Sequence, residues 1–273
     1  MTRTLLITGC SSGIGHHAAH TMAARGWQVF AACRREEDCA RLRAEGLPAP
    51  LIDYERPTTI ERGLAEVLDA TGSRIDALFN NGAYAIPGLV EDLPVDGLRA
   101  IFEANFFGWH DLTRRVIPVM RQQGAGRIVQ NSSVLGFAAA PWRGAYNATK
   151  FALEGLTDTL RIEMRGTGID VVLIEPGPIR TRFRANAAKQ FERWIDWEAS
   201  ARCDDYERLM GRLHDDRAAR FELSAAAVTK VLIPALESPR PRPRYRVTVP
   251  TKIAATMKRL LPTRTMDRIV SNS

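Results

Sequence analysis

Tyr146 and Lys150 stand four residues apart in the segment Tyr-Asn-Ala-Thr-Lys. On a helix that spacing puts both side chains on one face. An ammonium beside a phenol favours the phenolate and draws its pKa down from about 10. A phenol tuned in this way can pass a proton near neutral pH. Ser133 lies at the carboxyl end of the apolar run that begins at Arg127. Ligands of open α/β sheets bind at the carboxyl ends of strands, so Ser133 falls where chemistry is expected.

A second set of residues suits a phosphate. Thr8-Gly9-Cys10-Ser11-Ser12-Gly13-Ile14-Gly15 follows a β-like run and opens a helix-like one. Glycines there let the backbone turn tightly and approach a pyrophosphate, while the helix start offers free N–H groups and a positive dipole end. The spacing is GxxxGxG rather than the commoner GxGxxG. At the end of the next β-like run, where an acid would hold a ribose 2′-hydroxyl, stand Cys33, Arg34 and Arg35. A guanidinium there pairs with a 2′-phosphate, and the Ser11 and Ser12 hydroxyls could add donors, so NADP(H) is preferred over NAD(H). The competing reading makes Arg34 and Arg35 solvated residues at a helix start.

The elements that must position these groups alternate along the chain. Apolar, β-rich runs fall at Thr4–Thr8, Trp27–Cys33, Ala49–Asp53, Ile75–Asn80, Arg127–Asn131 and Ile169–Glu175. Helical stretches lie between them at Ile14–Arg25, Glu36–Glu45, Thr58–Ala70, Val95–Gln123 and Tyr146–Arg165. Strands alternating with helices, and strands apolar throughout, predict an α/β fold: a doubly wound, Rossmann-like parallel sheet. Residues 1–250 read as one domain. Within it, Arg180 to Glu222 reads as a helical substrate-lid insertion. Ser224–Glu237 reads as a helix with Ser224 as N-cap, and Arg244–Val249 as a last strand. Residues 251–273 read as a basic C-terminal extension.

Together these motifs resemble the short-chain dehydrogenase/reductase family, in its single-domain subtype of about 250 residues. The likeness runs from Thr4 to Thr181 in the family's motif order. The glycine turn contributes Gly9, Ser11, Ser12, Gly13, Ile14 and Gly15 as cofactor-binding residues, joined by Arg34. Asp53 occupies the adenine-contacting position. The family's Asn-Asn-Ala-Gly appears as Asn80-Asn81-Gly82-Ala83, with the last two inverted, and Asn80 is the cofactor-binding residue there. Pro176, Gly177, Ile179 and Thr181 match the segment that holds the nicotinamide carboxamide. Tyr146 is then the acid/base on the substrate oxygen. Ser133 polarises that oxygen. Lys150 contacts the nicotinamide ribose and depresses the phenol's pKa, and Asn105 holds a relay water leading from Lys150 to solvent. Segments at Ala104–Gly108, Arg143–Lys150, Leu173–Phe183 and Lys258–Ile269 resemble a bacterial NADP-dependent aldehyde reductase branch; Lys150–Leu156 also resembles hydroxysteroid and retinol dehydrogenases. The implied substrate is a small lipophilic carbonyl or alcohol. Apolar residues at Leu135, Phe137, Trp142, Phe183, Phe191, Trp194 and Trp197 fit either a pocket wall or ordinary core. Homo-oligomers are usual in the family, through the two long helices.

Composition narrows the alternatives. The chain has 273 residues, 45% hydrophobic and 25% charged, an ordinary globular balance. Four cysteines without paired spacing, and no signal-like or spanning segment, fit a reduced, cytoplasmic protein. The net charge of +7 resides in the tail: from Pro239 onward nine bases face one acid, whereas the preceding chain is close to neutral. Nucleic acid is therefore not an expected partner. No metal is expected either: His16 and His17 lack evident further ligands, and His110 and His214 are isolated. Arg180, Arg182 and Arg184 could meet an anionic substrate; solvation of the lid is the favoured reading. In the tail, Ile253, Met257, Leu260 and Leu261 share one helix face amid basic residues. Such a segment can make a peripheral contact with an anionic membrane; docking on its own domain or a partner subunit is favoured. Two further functions compete with catalysis by an oxidoreductase. A redox sensor that binds cofactor without turnover usually breaks the Ser/Tyr/Lys set, which is intact here. A sugar-nucleotide epimerase of the longer sister subtype would need a GxxGxxG turn and a larger C-terminal domain.

Overall fold

The structure is a computed structural model that describes residues 2–213 and 221–271; His214 lies outside the described residues. Strands β1 (Thr4–Thr8), β2 (Gln28–Ala32), β3 (Ala77–Asn80), β4 (Gly126–Asn131) and β5 (Ile169–Glu175) form a parallel sheet that β8 (Arg244–Arg246) completes, in the order β2-β1-β3-β4-β5-β8. Successive strand residues point to opposite faces. Leu5 and Ile7 therefore enter one core layer, with Ala18 and Met22 of α1 (Gly13–Ala24) and Val228 and Leu232 of α9 (Ala225–Glu237). Leu6 enters the opposite layer, with Leu64 of α3 (Pro57–Thr71), Leu112 of α5 (Gly108–Gln123) and Leu153 of α6 (Gly144–Glu163). Helices on both faces explain why the strands are apolar throughout. From β1 the chain moves outward to β2 and then returns to β3 on the other side. That reversal opens a crevice at the carboxyl ends of β1 and β3.

Several sequence expectations need correction. Ala49–Asp53 is not a strand; it makes one bridge, Cys33 to Leu51. Pro48 and Pro50 accept from Ala31 and Cys33 through their carbonyls but have no N–H to return to the ladder. The helix expected over Val95–Gln123 is broken into α4 (Val95–Phe102), a π-helical turn at Glu103–Phe107, and α5. Within that turn Asn105 clasps the Tyr84 backbone, accepting from its N–H at 3.1 Å and donating to its carbonyl at 2.8 Å. Ser224 precedes α9, but its side chain makes no capping bond; its backbone instead lies in β7 (Leu223–Ser224), paired with β6 (Ile179–Arg180). The last strand stops at Arg246 because Thr248 caps the next helix, accepting from the Thr251 N–H.

The insertion is helical, as expected, with α7 (Phe183–Trp194) and α8 (Cys203–Leu213). A separate apolar cluster under it buries Phe191 and Tyr206 against Ile86, Ile101 and Tyr146. The remaining helix of the N-terminal half is α2 (Glu36–Ala44). The extension forms α10 (Val249–Leu260) and α11 (Thr263–Ser271). It docks through Thr251, Ala255 and Met266; of the apolar stripe read from the sequence, which resumes after Pro262 at Met266, Ile269 and Val270, Met266 is buried and Met257 and Leu261 are half-buried. The start of α10 lies close against the Gly177 turn, since a Cβ on Gly177 would lie 2.1 Å from the Thr248 Oγ1 and 2.8 Å from the Thr251 Oγ1. Ile253 and Leu260 are left 53% and 75% exposed. All four cysteines are free thiols. Among the described residues no helix is long and apolar enough to cross a membrane.

Candidate active site

One cavity of about 800 Å³ runs across the carboxyl ends of the strands. At one end lie Ser11, Ser12, Gly13, Arg34 and Asp53; at the other, Ser133, Tyr146, Lys150 and Phe183. The glycine turn shapes the first end. Gly9 adopts φ +66°, and a Cβ on it would lie 2.5 Å from the Gly82 Cα. Gly15 packs under the same turn, where a Cβ would meet the Gly9 carbonyl at 2.4 Å. Ser12 precedes α1 without a capping bond from its side chain, so the first N–H groups of that helix face the cavity uncapped by it. This donor-rich, positively polarised end fits the pyrophosphate of a dinucleotide. Gly9, Ile14, Pro176, Gly177, Ile179 and Thr181 also line the cavity, as expected.

Arg34 is exposed at the rim and makes no ion pair among the described residues, whereas Arg35 is engaged by Asp38 at 2.9 Å. Arg41 also binds Asp38, and it donates to the Ser11 carbonyl at 2.6 Å, fixing the turn to α2. Arg34 is thus the guanidinium available for a phosphate at the adenosine end.

The chemical end is built on α6. Tyr146 is buried and Lys150 is 1% exposed. Burial pushes the Tyr146 phenol up; a hydrogen bond with Ser133 and the charge of Arg143 pull it partly back. The phenol therefore stays protonated at neutral pH in the unliganded protein. The expectation that Lys150 acidifies it is not met in this state: the Lys150 Nζ sits 5.6 Å from the phenol ring centroid. Its ammonium instead lies 4.2 Å from the Trp109 ring centroid and donates to the Asn131 carbonyl at 2.8 Å. Burial pushes Lys150 down to about 7, against a smaller opposing pull from Glu154. Ser133 accepts from the Leu135 N–H at 3.1 Å, which anchors its side chain. Phe183 packs edge-on against Tyr146, with centroids 5.3 Å apart.

Three expected residues lie beside the cavity rather than on its wall. Asn80 is fully buried, accepting from the Tyr54 hydroxyl at 2.7 Å and donating to Thr113 at 3.0 Å. Its neighbour Asn81 lines the cavity and ties β1 to β3 through the Thr8 carbonyl. Gly15 is used in packing. The side chain of Asn105 is spent on Tyr84, so a relay through this residue has to use its main chain. Of the apolar residues expected to form a pocket wall only Phe183 and Leu135 line the cavity; Trp142, Phe191, Trp194 and Trp197 belong to the apolar cluster under the insertion. His16 and His20 both meet Glu45, at 2.9 and 2.7 Å, a grouping that sequence spacing did not reveal.

Over residues 3–192 the chain matches the family described as short chain dehydrogenase. The chain belongs to the short chain dehydrogenase family. It is 40% identical over 271 residues to the uncharacterized oxidoreductase YbbO of Escherichia coli K12, covering 99% of this chain and 94% of the relative. It is 29% identical to the NADPH-dependent 3-dehydrocapnine reductase of Ornithobacterium rhinotracheale, covering 98% and 95% of the two chains. A short chain dehydrogenase/reductase from Burkholderia phymatum, solved in complex with NAD, superposes with a TM-score of 0.78 at 25% identity, covering 95% and 92%.

Sequence reasoning about this family member missed Trp109, Tyr54 and Arg143. Trp109 holds Lys150 from above and donates to the Gly82 carbonyl at 2.8 Å; it lies 41 residues from Lys150, and no spacing rule reaches that far. Arg143 stands three residues before Tyr146, so the helical spacing that paired Tyr146 with Lys150 would have found it.

Proposed function

We propose that the protein is an NADP(H)-dependent oxidoreductase that interconverts a lipophilic aldehyde or ketone and its alcohol. The observation that carries this reading is the placement of Tyr146 and Ser133 in the same cavity as the uncapped start of α1. A bound nicotinamide cofactor would supply or accept the hydride. Ser133 would orient the carbonyl oxygen by hydrogen bonding. The Tyr146 hydroxyl would then donate its proton to that oxygen as negative charge develops there. Lys150, held by Trp109 and Asn131, supplies a positive field beneath the reacting oxygen while it carries its proton. Phe183 excludes water from one side of Tyr146. Arg34 supports NADP(H) over NAD(H), in keeping with the NADPH dependence in the name of the Ornithobacterium relative.

The test is the oxidation of NADPH followed against medium-chain aldehydes, ketosteroids and retinal. Tyr146→Phe is expected to reduce turnover at least about a hundredfold while NADPH still binds. Wild-type rates in that variant would refute the assigned proton donor. Cofactor binding without turnover of any carbonyl by the wild type would favour the sensor reading.

A further inference from the structure

His16 and His20 stand four residues apart on α1, so both rings lie on one face of that helix. Their ring centroids are 4.6 Å apart. Glu45, the residue that follows α2, reaches them from the neighbouring helix. Its Oε2 lies 2.9 Å from the His16 Nε2 and 2.7 Å from the His20 Nε2. One ligand atom from each of the three residues falls within 4.8 Å of the others. Arg41 faces the other carboxylate oxygen, Oε1, at 3.6 Å, and Asp38 at 3.1 Å balances the charge of that guanidinium. Oε2 is thus the oxygen that the two rings share. His17, between them in sequence, points elsewhere: its Nδ1 lies 2.8 Å from the Thr229 hydroxyl.

We propose that His16, His20 and Glu45 form a zinc-binding site that clips α2 to α1. Two imidazoles and a carboxylate are a ligand set that zinc accepts, with water in the fourth position where a site is open. The three side chains are 30–41% exposed, so solvent reaches the site to complete the coordination. Without metal, each ring bonds Oε2 by donating an Nε2 proton. With zinc in place that proton sits on Nδ1 and the Nε2 lone pair turns to the cation, while the carboxylate cancels one of its two charges. Tetrahedral bonds of about 2.0–2.1 Å hold ligand atoms about 3.3 Å apart, so the two contacts to Oε2 open by about half an ångström on binding. Arg41 carries the effect to the adenosine end of the cavity: it touches Glu45 and also donates to the Ser11 carbonyl at 2.6 Å. The site stands independently of the carbonyl-reductase reading.

The experiment is a calorimetric titration of zinc chloride into the full-length protein after treatment with a chelator, for wild type, His20→Gln, Glu45→Gln and His17→Gln. Wild type is expected to bind one zinc ion with a saturable isotherm. Losing a group that only orients a ligand costs about 10–100-fold in metal affinity, so losing a ligand itself should cost at least about tenfold in His20→Gln and in Glu45→Gln. His17→Gln should bind as wild type does. No saturable binding by wild type overturns the site, as does wild-type affinity in either ligand variant or an equal loss in His17→Gln. If a ligand variant fails to fold, the wild type alone still decides. Nitrogen-15 spectra of its imidazoles should show the His16 and His20 Nε2 signals shift as zinc is added while those of His17 stay in place. Unmoved His16 and His20 signals at saturating zinc would leave the three side chains a hydrogen-bonded staple and overturn the proposal.

Discussion

Lys150→Met should separate what the buried ammonium does for chemistry from what it does to stability. The side chain is 1% exposed, and burial displaces its pKa from the ordinary 10.5 to about 7. Each pKa unit corresponds to about 1.36 kcal/mol, so the charged form is penalised in the native state by about 5 kcal/mol, to order of magnitude. The sign follows from linkage. Between about pH 7 and 10.5 the unfolded chain holds this proton and the native protein does not, so stability rises with pH across that window. Methionine removes the titration. It also leaves the Asn131 carbonyl without its donor, a loss of about 1–3 kcal/mol at every pH. At pH 6 the variant should therefore be more stable than wild type by about 2–4 kcal/mol, and near pH 10.5 less stable by about 1–3 kcal/mol. Urea denaturation of both proteins at several pH values measures the gap, and other titrating groups cancel in the difference. Turnover should be lost throughout, because the field beneath the substrate oxygen goes with the charge. A stability gap that does not vary with pH would refute the premise that Lys150 is a strained, readily neutralised cation.

Arg34→Asp should weaken NADPH binding about ten- to a hundredfold, the worth of a charge-assisted phosphate contact, and leave NADH binding nearly unchanged; fluorescence titration with both cofactors measures the ratio, and an unchanged ratio removes the phosphate role. Arg244 joins β8 to Glu175, Glu154 and Asp158, and Glu175 is wholly buried. Arg244→Met should therefore destabilise the fold by about 3–5 kcal/mol, by leaving buried Glu154 without its cation and buried Glu175 with Arg246 alone; a shift in urea midpoint equivalent to less than about 1 kcal/mol would show that the network relaxes. The outer faces of α10 and α11 expose Ile253, Leu260 and Ile269 among Lys252, Lys258, Arg259, Arg264 and Arg268. Co-sedimentation with phosphatidylserine vesicles is expected at low salt and should weaken as salt is raised, and no sedimentation at low salt would leave the tail a docking role alone.

The parts of the fold legible in the sequence were those whose signal is local. β1 and β5 are apolar runs bounded by turns, and both appear with the expected limits. The errors arose where a distant neighbour overrules a local pattern. Ala49–Asp53 has strand composition, but Pro50 within it and Pro48 just before it face β2 with no N–H to give. The helix from Val95 looks continuous, yet the backbone of Tyr84, some twenty residues earlier, takes the Asn105 amide at a widened turn. In the tail, the larger apolar residues of α10 suggested the docking face. The face that docks instead carries Thr251, whose Oγ1 would lie 2.8 Å from a Cβ on Gly177, and Ala255, both buried.

The site divides along the same line. Tyr146 and Lys150 share a helix, so their spacing alone brings them to one face; what each experiences there depends on Trp109, Asn131 and Arg143, of which only Arg143 is within reach of a spacing rule. The inverted pair Gly82-Ala83 shows how a departure from a pattern can be the pattern's own requirement. Gly9 must turn at φ +66° with its α-carbon against the loop after β3, and the closest atom across that gap is the Gly82 Cα. A side chain at Gly82 would meet Gly9 at 3.3 Å, a tight but adjustable contact; a side chain at Gly9 would meet Gly82 at 2.5 Å and would also strain its own backbone. The constraint is therefore on close approach of two chain segments, strictest at Gly9. A glycine at 82 eases that approach, while Ala83, one step further on, is half-buried and packs against the apolar layer.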